Sequence, residues 1–148
     1  MTFRPPLEEW DQVERTVVDP LGSTYHFSVT DDGIWREELI GLFPSPRPIE
    51  TGHLNKWELR VLDAIIDQIN REPIPDQAQY NGPATDDLGR YLDLTNDETT
   101  FRLSSEDRAG SYILADDPFD RWEIAALDAF VHYLGNKHGS YSGDFIIG

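Results

Sequence analysis

The sequence predicts an α+β domain: a two-layer sandwich in which an antiparallel sheet carries helices packed on one face. Three observations predict it. The motif Trp-Glu-Leu-x-x-Leu-Asp-Ala at 57–64 returns as Trp-Glu-Ile-x-x-Leu-Asp-Ala at 122–129. Each copy opens a run of helical periodicity, and each is preceded by segments that alternate with the period of strands. The likeness also extends upstream, where Leu21-Gly22, Tyr25 and Val29-Thr30-Asp31-Asp32 parallel Leu88-Gly89, Tyr91 and Leu94-Thr95-Asn96-Asp97. Those shared residues lie outside any helix, so two similar amphipathic helices do not account for them. The chain reads as a single domain over residues 1–148. It is built by internal duplication of a strand-strand-(strand)-helix unit, at about 21–71 and about 88–135. Two units are too few for a solenoid.

Along the chain, Tyr25, Phe27 and Val29 alternate with His26, Ser28 and Thr30, as in a strand with one buried face. Asp31-Asp32-Gly33 supplies turn chemistry, and Ile34-Trp35-Arg36 resumes extended structure. The stretch from Glu37 to Phe43 fits either a third strand or a short helix. Pro44, Pro46 and Pro48 form the loop before the first helix. That helix starts at Asn55, an N-cap residue followed three positions later by Glu58, as in a capping box. Leu54 and Leu59 suit a hydrophobic staple across the cap. Trp57, Val61, Leu62, Ile65 and Ile69 recur at helical spacing as the expected core face, and Asn70 is the expected stop.

Glu72 to Asp87, with Pro73, Pro75, Gly82 and Pro83, joins the units as an ordered surface connection. In the second unit Leu92 and Leu94 alternate with Tyr91, Asp93 and Thr95; 99–103 and 111–114 read as further strands. The second helix repeats the first: Asp120 as N-cap, Glu123 three residues on, Phe119 and Ile124 as staple. Trp122, Ala126, Leu127, Phe130 and Leu134 form its expected core face, and Gly135 its stop. Core packing is therefore the expectation for both Trp57 and Trp122.

Composition narrows the function classes. Acids number 28 against 12 bases, a formal charge of -16, and only Lys56 and Lys137 are lysines. Nucleic acid or an anionic membrane would demand a basic patch, which ten scattered arginines do not make. There is no cysteine, so disulfides and thiolate chemistry are excluded. The amino-terminal residues lack the apolar core of a signal peptide and no apolar run approaches a spanning length, so a cytoplasmic protein is expected.

Catalytic and metal motifs fail one by one. Asp93-x-Thr95-x-Asp97 begins like a calcium loop, but Glu98 and Ser104 stand where Gly and a bidentate acid belong. His132 and His138 are six apart across the expected helix end, and zinc-binding helices prefer closer pairs with a third ligand. His138, Ser140 and Asp144 share one loop, whereas triad members converge from separate elements. Neither a nucleophile elbow nor a phosphate-cradling glycine loop is present. No cofactor or metal is expected.

What remains is acidity placed in turns: Asp31-Asp32, Asp97-Glu98 and Asp116-Asp117, with Trp35 beside the first as an aromatic anchor or, on its other reading, a core residue. Any one pair is explained by the turn propensity of Asp, but a collective excess of uncompensated charge is not. These residues are the expected partner-binding set of a non-enzymatic inhibitor or immunity protein that neutralises a basic partner, such as a nuclease. Two other readings fit less of the sequence. One is a small enzyme or ligand-binding domain with a cleft between the units. The other is adaptation of a cytosolic protein to high salt.

Overall fold

The computed structural model describes residues 10–18, 23–41, 48–71, 79–80, 89–96, 99–106 and 122–141. Asp31-Asp32-Gly33 turns β2 (Thr24–Thr30) back onto β3 (Ile34–Ile40), and Gly33 takes φ +85°, which its missing Cβ permits. The ambiguous stretch after Trp35 is therefore strand as far as Ile40. β1 (Gln12–Val18), for which the sequence reading proposes no element, pairs with β2 on one side and with β6 (Gly89–Asn96) on the other. β4 (Glu50–His53) pairs with β3, while β7 (Thr99–Glu106) pairs with β6 and with the short β5 (Gln79–Tyr80). Among the described residues the strands form one antiparallel sheet in the order β4-β3-β2-β1-β6-β7-β5.

Alternation sets the two faces of the sheet. Val13, Val17, Tyr25, Phe27, Val29, Leu92, Leu94 and Phe101 all join the core beneath α1 (Lys56–Asn70) and α2 (Trp122–His138). The result is the expected α+β sandwich, with the helices packed on the sheet. α1 and α2 run antiparallel, since Lys137 and His138 at the end of α2 reach Glu58 at the start of α1. Each helix is also tied to β1. Trp10, just before β1, donates its indole N–H to Asp63 at 2.9 Å, and Arg15 donates Nε–H to Asp128 at 3.2 Å.

The start of α1 follows the sequence. Asn55 Oδ1 accepts from the Glu58 N–H at 2.8 Å and Glu58 Oε1 accepts from the Asn55 N–H at 2.9 Å, a complete capping box. The Asp120 cap and Phe119, the 111–114 strand and nearly all of the connecting stretch lie outside the described residues.

The core face of both helices needs correction. Trp57 is 73% exposed and Trp122 64%. The buried positions are Glu58, Leu62, Ile66, Ile69 and Asn70 in α1, and Glu123, Ile124, Leu127, Val131, Leu134 and Gly135 in α2. Each helix is rotated by about one residue from the expected orientation, because the motif glutamate turns inward and the tryptophan before it turns out. The predicted stops change as well. α1 ends with Arg71 in right-handed geometry rather than a left-handed Asn70. α2 continues through Gly135 to His138. A Cβ at Gly135 would lie 3.1 Å from the Tyr25 hydroxyl and 3.4 Å from Phe27, so the glycine serves close approach of helix to sheet.

Candidate functional site

Strand register brings Asp11 and the Asp31-Asp32 turn to one end of the sheet. Gln12 pairs with Thr30 on one side and Thr95 on the other, so β2 and β6 both finish beside the start of β1. Asp11 fills the gap: its N–H donates to the Thr95 carbonyl at 2.8 Å, and its carbonyl accepts from the Asp31 N–H at 3.0 Å. The neighbouring strands place the ends of β2 and β6 about 10 Å apart. Asp11, Asp31 and Asp32 are all exposed there. Asn96 and Thr99, the paired ends of β6 and β7, are at the same end. Asp97 and Glu98 between them, and Asp116 and Asp117, lie outside the described residues.

The turn itself is ordered by Thr30. Its hydroxyl donates to the Asp32 carboxylate and accepts from the Ile34 N–H at 3.3 Å, while the Gly33 N–H donates to the Thr30 carbonyl at 2.9 Å. The Thr30 hydroxyl in particular holds the Asp32 carboxyl below its ordinary range, with the Ile34 amide adding to the effect. Asp32 is exposed at the tip of this ordered turn.

Trp35 does not belong to this surface. It is 8% exposed, stacks on Phe27 and on His138 with ring centroids 5.9 Å apart in each case, and faces Gly52 across the β3–β4 pair. A Cβ at Gly52 would come within 2.7 Å of the indole, so the ring fills the space of an absent side chain. Of the two readings of Trp35, the exposed anchor is corrected and the core residue is the one found.

Sequence reasoning also missed a pair of interior carboxylates. Glu37 is fully buried on the helix-facing side of β3 and accepts from the Tyr25 hydroxyl and from the N–H groups of Ser140 and Tyr141, the latter at 2.8 and 3.0 Å. It binds the loop after α2 as a side-chain substitute for backbone acceptors. Gly139 is required beside it, since a Cβ there would lie 1.8 Å from a carboxylate oxygen. Glu58 accepts from Lys137 Nζ at 2.9 Å and faces His138 Nε2 at 2.8 Å. Burial pushes the Glu58 carboxyl up, but the Asn55 amide, Lys137 and His138 together bring it below its ordinary value. Lys137 is raised in turn, chiefly by its bond to Glu58. All these groups are engaged in holding α2 against α1 and β3.

The sheet face away from the helices carries a third polar set. His26 Nδ1 is 2.9 Å from the Thr16 hydroxyl and 3.5 Å from Glu14. Arg102 makes a two-pronged contact with Asp93 at 2.9 and 3.1 Å and lies over the Tyr91 ring at 4.5 Å. Burial raises the Asp93 carboxyl, and the Arg102 contact only partly opposes it. Arg102 is thus turned onto a protein carboxylate rather than towards a substrate anion. Among the described residues no three His, Asp or Glu side chains are placed to hold a metal. His132 meets Asn136 whereas His138 meets Glu58.

Among the described residues no helix is long and apolar enough to cross a membrane. In comparison with known proteins, the chain matches no family model and no curated sequence.

Proposed function

We propose that the protein is a non-enzymatic acidic binding protein of the inhibitor or immunity type, acting in the cytoplasm on a basic protein partner such as a nuclease. The observation that carries this reading is the joint placement of Asp31, Asp32 and Asp11 at the sheet end where β6 finishes, in a chain of formal charge -16. Acidic groups fixed on a stiff sheet end steer a cationic surface without first having to be ordered. Asp97, Glu98, Asp116 and Asp117 extend the proposed set. The partner's cationic substrate-binding surface is what such an end would cover, in competition with nucleic acid.

The test begins with a pull-down from native lysate and continues with stopped-flow binding to the partner recovered. Association should slow steeply as salt rises, because exposed charges are screened over about 10 Å at 0.1 M ionic strength. Asp31→Asn with Asp32→Asn should slow association further at low salt and leave dissociation nearly unchanged. A neutral or acidic partner, or a rate indifferent to the amide substitutions, refutes the reading.

A further inference from the structure

Among the described residues, four of the seven exposed large hydrophobes lie on the outside of the helix layer, the other three, Ile34, Ile40 and Ile49, being at the β3–β4 edge. Trp57, Val61, Trp122 and Tyr133 are all large hydrophobes open to solvent, and Ala64, Ala125 and Ala129 are exposed with them. By helical spacing, Trp57 and Val61 lie on the shoulder of α1 that adjoins Glu58 and so turns towards α2. Trp122, Ala129 and Tyr133 lie together along the outer side of α2, which on that side carries no charge until Lys137. A helix apolar on its outer as well as its inner face is one that has something to cover it.

We propose that this face is covered by a second copy of the chain, in a twofold dimer packed helix layer to helix layer. Charge is the first argument. The exposed charges on the two helices and at the end of α1 are four bases, Lys56, Arg60, Arg71 and Lys137, against two acids, Asp63 and Asp67. Both lysines of the chain are among them. A protein of charge -16 repels its own copies least across a surface that is close to neutral.

Shape is the second argument. A twofold interface needs a patch complementary to itself. An axis over the middle of α2 sets Trp122 of one copy against Tyr133 of the other and leaves alanines at the crossing, where small side chains let helices approach closely. Area is the third. Two helices about 25 Å long, lying about 10 Å apart, present a corrugated face about 25 Å by 20 Å. That is about 500 Å² in projection from each copy, about 1,000 Å² in total, which reaches the lower bound for a specific interface.

The inference predicts a salt dependence opposite to that of basic-partner binding. Screening relieves repulsion between two acidic copies, so dimerisation tightens as salt rises while capture of a basic partner weakens. Sedimentation velocity on the full chain, over a wide concentration range at low and high salt, should show a monomer–dimer equilibrium shifted to dimer by salt. Ala129→Glu, which puts a carboxylate from each copy at the crossing, should weaken the dimer by about tenfold or more, about 1.4 kcal/mol. Trp122→Ala should weaken it too, and both variants should keep the far-ultraviolet circular dichroism of the parent. Asp31→Asn with Asp32→Asn should leave the dimer intact, which separates this interface from the acidic end. A monomer at every concentration and salt overturns the inference. So does a dimer unmoved by Ala129→Glu, or a monomer that uses this face only to capture a different protein.

Discussion

The two helices share a motif and an interior but differ on the outside. At aligned positions both bury the same sites: Glu58 and Glu123, Leu62 and Leu127, Ile66 and Val131, Ile69 and Leu134, Asn70 and Gly135. Both send the motif aspartate to the β1 segment, Asp63 to Trp10 and Asp128 to Arg15. Outside, α1 carries Lys56, Arg60, Asp63 and Asp67 around its tryptophan, whereas α2 carries alanines and Tyr133 around its own. The comparison shows that the motif encodes attachment to the sheet, while the outer faces are free to diverge. It also limits the duplication read from the sequence. The helices correspond, but β4 follows β3 at one sheet edge, whereas the strand beside β7 is β5, which precedes β6.

The largest expected effect separates inner from outer motif positions. Leu62→Ala and Leu127→Ala, both at fully buried sites, should each cost about 2–5 kcal/mol in urea unfolding. Trp57→Ala and Trp122→Ala, in protein dilute enough to be monomeric, should stay within about 0.5 kcal/mol of the parent. A tryptophan substitution as costly as a leucine one would mean that these helices rest on the sheet in another rotation.

The next effect tests the lock between the helices. Glu58→Gln keeps an oxygen for the Asn55 amide but loses the charge that holds Lys137 and His138. The expected loss near neutral pH is about 1.5–3 kcal/mol. Because the folded Glu58 carboxyl is held below its ordinary value, its stabilisation is complete above that ordinary value and is lost as pH falls through the folded one. The gap between parent and variant should therefore close on acidification. Asp93 has the opposite sign: raised by burial above the ordinary carboxylate value, it favours the folded state at low pH, and that contribution fades as pH climbs through its folded value. A gap that stays constant down to acid pH would show that Glu58 acts through shape alone.

Local chemistry was legible in the sequence and long-range pairing was not. The Asp31-Asp32-Gly33 turn and the Asn55–Glu58 cap rest on residues within a few positions of one another, and both stand as read. β1 is hidden in the sequence because Glu14 and Arg15 interrupt its apolar residues, and Arg15, turned into the core, pairs with Asp128 far along the chain. The helix rotation is hidden for the same reason. Ranking residues by apolarity puts tryptophan inside, but the buried Glu58 is satisfied by partners 79 and 80 positions away. The candidate acidic end was half legible. Composition pointed to the turns, and only the pairing of β1 with both β2 and β6 sets Asp31 and Asp32 beside Asp11.

The smallest effect lies where the helices differ most. Arg60 holds its guanidinium over the Trp57 ring, 5.4 Å from the centroid, and the aligned residue in α2 is Ala125, which offers Trp122 no such cover. An exposed contact of this kind is worth about 0.5–1 kcal/mol. Arg60→Ala alone would blur it, because alanine also has the better helix propensity. A double-mutant cycle of Arg60→Ala and Trp57→Ala cancels that term and should leave a coupling of about 0.5 kcal/mol. Arg60→Ala should also make the outer face of α1 resemble that of α2. Baring the Trp57 ring adds apolar surface, but it removes one of the bases that offset the chain's negative charge. On the charge argument the second effect dominates at low salt and fades at high salt, so the variant should dimerise less readily only when salt is low. A coupling of zero would mean that Trp57 is as bare as Trp122 and that the outer faces differ in charge alone.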